Sequence, residues 1–533
     1  MKNMKLLKGK QEVRKHMIER LGRKISIVVA MLQGVVNRRS LTTCFKGYVC
    51  SFLISVSFLV TACSPKEPDT FNEMSAYPEI FPNYIGTTIP VNIAPMRFKL
   101  STENDDALVV ISRGKRQYSI ASSDGKFLFS ESEWKNLLDH AEGDSLKVKV
   151  YTATNGKWTL YKPFYWYVAT EPIDPYLVYR LIEPGYELWN HMGLYQRDLT
   201  SFDEEPIISN ARTEHNCMNC HTFNRHSPDT ILFHQRARHG GTYIVTSNSV
   251  EKLDAKINDK FSGIVYPYWH PSGNCVVFSS NNIKQAFTRS HRNRIEVFDH
   301  KSDLVFYDVA RHEIWSDSIV MNQQSFETFP CFSPDGKKLY FCSAKAVDMP
   351  KNYENVRYNL CAVDFDLSAR RVGQTIDTLV NASSCKKSVS FPRVSPDGKQ
   401  LVFVLSDFGN FSIWHREADL YALDMQSGKV RELKEVNSEE TESYHSWSSN
   451  GRWMVFSSRR IDGLYTHPHL VYIHADGTFS HPFVIPQKDP SFYKYFMKSF
   501  NLPELVKGKI VIDKPAVWKA TRGNGIKLKW SNS

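Results

Sequence analysis

Beyond residue 62 the sequence has almost no excess charge of either sign. The 533-residue chain carries a formal +11, but twelve Lys/Arg and only Glu12 and Glu19 fall in residues 1–62, which leaves +1 for the remainder. A nucleic-acid role needs a basic face on the folded part, so it is excluded. A disulfide framework is also missing. Of ten cysteines, Cys44 and Cys50 belong to the leader and Cys63 directly follows it, and the other seven have irregular spacing and an odd number. Cys275, Cys342 and Cys361 stand in apolar strand patterns and read as small core residues. There is no G-x-S-x-G nucleophile motif and no pair of acids placed as acid and base, so a hydrolase is not expected. The length excludes one ordinary core and predicts at least two domains.

What is present begins with the leader, residues 1–62. A basic stretch ends at Lys46, and sixteen uncharged residues, "GYVCSFLISVSFLVTA", run up to Cys63. This is the pattern of a secretory signal. Val60-Thr61-Ala62-Cys63 resembles the lipobox of exported bacterial lipoproteins, which implies lipidation of Cys63 and a cell-envelope location facing the periplasm or the exterior. A single spanning anchor is the alternative. Residues 63–85, opening "CSPKEPDT", read as a polar tether.

Four stretches then repeat one pattern: "YPYWHPSGNCVVFSS" from 266, "TFPCFSPDGKKLYFCSA" from 328, "SFPRVSPDGKQLVFVLS" from 390 and "YHSWSSNGRWMVFSS" from 444. A fifth, "HSPDTILFHQR", starts at 226. In each, a strand enters a tight Pro/Asp/Asn/Gly turn and an alternating strand returns. Third and fourth strands follow, giving a four-stranded unit and the signature of a β-propeller. Residues 176–208 supply a unit without the turn. The repeats resemble the TolB-type, WD40-like propeller. The expectation is an all-β protein: a small immunoglobulin-like β-sandwich over 86–170, a six-bladed propeller over 171–485, and a C-terminal segment over 486–533 whose strand closes the ring.

"CMNCH", residues 217–221, is a c-type haem attachment motif. Two thiols bond the porphyrin and the adjoining imidazole ligates iron, so Cys217 and Cys220 are the expected attachment points and His221 the expected axial ligand. The motif is expected in the link between the first two units, on the face that carries the long loops. His191, Met192, His234 and His239 are candidates for the second axial position, with Arg236 and Arg238 near the propionates. The rival readings are zinc, with His215, His221 and His226 available as further ligands, a disulfide or redox pair, and an inert pair. Two functions follow: a membrane-anchored carrier of haem c engaged in electron transfer, or a non-catalytic scaffold holding a protein or glycan on its loop face.

Overall fold

The computed structural model describes residues 65–184, 190–255, 263–288 and 293–531. The leader and Cys63 lie outside the described residues. Among those described, no helix is long and apolar enough to cross a membrane.

The N-terminal domain has two sheets. The larger runs in the order Asn72–Glu73, Lys157–Leu160, Ser145–Thr154, Phe164–Val168, Thr88–Ile89, with Asp106–Arg113 and Arg116–Ser122 branching from Ser145–Thr154. The smaller joins Ile80–Phe81, Phe98–Leu100 and Lys126–Phe127. The segment expected to be a free tether is therefore partly stitched into the domain, and Glu67 also meets Lys149 at 2.8 Å. Helix Glu131–Leu138 was not expected from the strand pattern; Ser130 caps it by accepting from the Glu133 N–H. Its Trp134 packs edge-on against Trp166 at 5.5 Å. Both indoles are buried, and each donates to a backbone carbonyl, that of Ile93 or Tyr84.

Six further sheets follow among the described residues, each built on antiparallel strands. The innermost strands are Ser499–Val506, Met218–Phe223, Val265–Trp269, Ser325–Phe332, Ser388–Val394 and Glu442–Trp447. Each lies against the next, and the last lies against the first, so the sheets form a closed ring of propeller type. The innermost strand of the first of these sheets, Ser499–Val506, comes from the C-terminal segment and pairs with Tyr176–Ile182. Two later short strands, Ile526–Lys527 and Lys529–Trp530, extend the outer edges of the second and third sheets.

The repeated turn explains its own sequence. Ser333 Oγ donates to Asp335 at 2.6 Å and accepts from the Lys338 N–H at 2.9 Å. Gly336 completes the turn at φ +74°, a conformation that penalises any Cβ. Ser395 with Asp397 and Ser448 with Asn450 repeat the arrangement.

One core runs from the N-terminal sheets into the first and sixth ring sheets, including Trp166, Phe483, Trp453, Leu470, Tyr179 and Phe500. Polar seams fix the same junction. The Trp453 indole donates to the Glu171 carbonyl at 3.0 Å, and Asp174 accepts from both the N–H and the hydroxyl of Ser449 at 2.7 Å.

Candidate functional site: the axis of the ring

The inner strands share a second device. In each, the ladder slips by a bulge near the middle, and the bulged residue is Cys220, Tyr266, Phe329, Phe391, Tyr444 or Leu502. Five of the six, all but Cys220, hold a left-handed φ between 46° and 54°. Such a conformation costs a non-glycine residue on the order of 1–2 kcal/mol. Aromatic packing offsets it: Tyr266–Phe329, Phe329–Phe391 and Phe391–Tyr444 centroids are 4.5, 4.2 and 4.6 Å apart. Rings from four successive sheets can touch in series only near the axis. Cys220 is the bulged residue of its own inner strand, so it stands at the same level of the ring.

This corrects the expected place of the cysteine motif. Met218 to His221 lie in an innermost strand, hydrogen-bonded to Thr230–Gln235, and the link between sheets ends before them. Cys220 is 3% exposed and its thiol is pushed up by burial. Cys217, partly exposed, packs instead against the cluster of Met192, Met218 and Ile208 between the first two sheets. His221 is 3% exposed, its ring packed inside the protein with the Val178 backbone as its polar neighbour. Burial first, and Arg180 second, hold it neutral with a pKa of about 3.

A porphyrin on these residues needs both sulfurs on one side of a turn and the imidazole facing open space. The extended strand sends the thiols to different neighbourhoods and packs the imidazole inside. The residues as folded do not fit the group. The candidate second ligands are also engaged elsewhere. Met192 Sδ accepts from the Met218 N–H at 3.2 Å, His234 Nδ1 meets Thr242 Oγ1 at 3.0 Å, and His239 Nε2 meets Glu214 at 3.2 Å. His191 is exposed and lies edge-on to His215, 5.7 Å away. Arg236 lies near the axis beside Cys220, and Arg238 pairs with Glu214 on the surface. For zinc, His215 meets the Asn190 carbonyl and His226 that of Leu505. Among the described residues, no three His, Cys, Asp or Glu side chains group as a metal site. Cys217 and Cys220 are free thiols.

Two residues beyond the collar position, each inner strand presents the next layer: Thr222, Tyr268, Cys331, Arg393, Ser446 and Glu504. All but Cys331 line a cavity of about 330 Å³ at the end of the axis where the tight turns gather. Trp269, Phe332 and Trp447 wall it, Pro271, Pro334 and Pro396 of the repeated turns line it further out, and Arg225 and Lys507 stand exposed beside it. Arg393 sits over the Tyr268 ring at 5.3 Å, and Ser446 donates to the Pro503 carbonyl at 2.9 Å. Burial pushes the Glu504 carboxyl up to about 8, opposed by Arg393 and by hydrogen bonds from the Phe223 backbone and Thr222. Sequence reading missed this site because it looked to the long loops. The signal was available: Tyr-Pro at 266, Phe-Pro at 329 and 391, and Leu-Pro at 502 mark one level of the axis.

The Glu504 carboxyl lies above its unfolded value of 4.5, so its contribution to stability is fully present below about pH 4.5 and is lost as pH rises through about 8. Between pH 6 and 9 the parent protein is expected to lose about 1–2 kcal/mol more stability than Glu504→Gln, since the amide cannot ionise. Urea unfolding of both proteins at the two pH values measures this; parallel losses refute it.

No family model matches the sequence, and no curated protein is significantly similar to it. Solved structures do resemble it distantly. A prolyl endopeptidase is 12% identical with TM-score 0.34, over 59% of this chain and 42% of that one. Prolyl oligopeptidase B from Galerina marginata is 10% identical with TM-score 0.32, over 62% and 52%. The β-propeller domain of the Trilobed protease from Pyrococcus furiosus is 13% identical with TM-score 0.30, over 64% and 94%. The chain spans 42–52% of the two prolyl peptidases.

Proposed function

We propose that the protein is a non-catalytic binding scaffold of the cell envelope: a lipoprotein anchored at Cys63, with a small β-sandwich ahead of a six-bladed, TolB-like propeller that holds a protein or other guest at one end of its axis. One observation carries the reading. Met218 to His221 are woven into an inner strand, with Cys220 at the level that aromatic residues fill in four other sheets, which supports a structural role for the motif. A second reading, haem c and electron transfer, is favoured by the C-x-x-C-H run itself, Cys217 to His221.

Expression in a host that matures c-type cytochromes separates them. The scaffold reading expects a protein that shows no haem stain on a denaturing gel and no reduced α band. It also expects the double substitution Cys217→Ala, Cys220→Ala to cost about 1–2 kcal/mol, as small side chains do. A covalently stained band overturns the scaffold reading. Loss of the protein from the membrane fraction on Cys63→Ala tests the anchor.

A further inference from the structure

The layer beneath the collar is chemically uneven. Thr222, Ser446, Tyr268, Arg393 and Glu504 face one enclosed volume, while Trp269, Phe332 and Trp447 wall it. Arg393 uses Nη1 on the Pro392 carbonyl at 2.9 Å and stacks on Tyr268, which fixes its planar fork at the floor. Glu504 lies within reach of that charge, yet the two form no ion pair within 4.0 Å among the described residues, so Arg393 keeps its charge for a guest. Lys507 and Arg225 add positive charge at the mouth. Asp174, the nearby acid, is engaged by Ser449.

We propose that this cavity binds a small organic carboxylate, its carboxylate on the Arg393 fork and its apolar body against the tryptophans. The volume suits a compact ligand of this kind, since small-molecule pockets start at about 300 Å³. A cation is disfavoured by three positive side chains around one carboxyl. A neutral sugar would leave Arg393 without a partner at the floor. Glu504, held neutral at pH 7 by burial, donates to the carboxylate and does not repel it. The inference deepens the scaffold reading and rests on it.

The test uses the full-length protein in a zwitterionic detergent and follows tryptophan fluorescence. The probes are aromatic carboxylates from benzoate to indole-3-acetate, each paired with its neutral amide. At least one carboxylate is expected to saturate below about 1 mM and its amide to bind at least ~10-fold more weakly. Arg393→Gln is expected to weaken the carboxylate at least ~30-fold, whereas Tyr495→Ala, at an exposed side chain outside the cavity, stays within ~3-fold. Near-UV circular dichroism checks that Arg393→Gln folds. If it does not, Lys507→Glu at the exposed mouth replaces it, with ~10-fold weaker binding expected. Equal binding of acid and amide, no saturation by any carboxylate, or unchanged affinity in the folded variant overturns the inference. None of those results touches the scaffold reading, which fails only on a haem-bearing band.

Discussion

Phe500→Ala is expected to destabilise the protein by about 3–5 kcal/mol, the usual cost of emptying a buried aromatic site. Phe500 is fully buried in the strand that closes the ring. Its ring meets Tyr179 edge-on at 4.8 Å in the neighbouring strand, and Phe496 lies at 5.4 Å. Its carbonyl accepts from Ser457 in the sixth sheet at 3.2 Å and from Thr466, just before the next strand of that sheet, at 2.7 Å. One residue thus joins the first sheet to the last. Urea unfolding followed by far-UV circular dichroism measures the loss, and Tyr495→Ala, at a side chain 79% exposed, is the control expected to stay within about 0.5 kcal/mol. Ending the chain at Met497 removes the strand altogether and exposes the edge of Tyr176–Ile182. That shortened chain is expected to lose its cooperative transition. A cooperative transition near the parent midpoint refutes the role given to the strand.

Trp453→Ala is expected to cost a comparable 3–5 kcal/mol, with a different signature. The indole is fully buried, packs on Tyr472 at 5.0 Å and donates to the Glu171 carbonyl at 3.0 Å. Its loss opens a cavity and strips that carbonyl of its donor at the junction of the N-terminal domain with the ring. Limited proteolysis is therefore expected to gain a cut near residues 170–175, which the Phe500 variant does not favour. Trp453→Phe keeps most of the packing and loses the donor, for about 1–2 kcal/mol. A Phe variant as unstable as Ala would assign the effect to the lost indole donor and not to packing.

These positions show how far the sequence could be read. The repeated tight turns announced four sheets directly because their chemistry is local: Ser333 with Asp335, Ser395 with Asp397, Ser448 with Asn450 and His270 with Ser272 each bond across the turn ahead of a glycine at positive φ. The first sheet lacks the turn for a physical reason, since its inner strand arrives from residues 499–506, more than 300 positions away from its partner. The second sheet was misread at Met218–Phe223 because a cysteine stands where the other inner strands place aromatics or leucine. Asn224–His226 also lengthens its turn, with Arg225 and His226 both at left-handed φ. Helix Glu131–Leu138 was legible in principle: Ser130 and Glu133 have the spacing of a capping box, overlooked among strand signals. The axial cavity was not legible piecemeal. Thr222, Arg393, Ser446 and Glu504 are ordinary residues in separate strands, and only the common bulge brings them to one level.

The collar places a layer of side chains across the axis between the two rims of the ring. Six residues, four of them aromatic, stand at that level, and the recess beside Arg393 begins one layer further on, among the tight turns. The inner strands run through both levels, so a change in packing at the collar is passed to the recess along the backbone of each sheet.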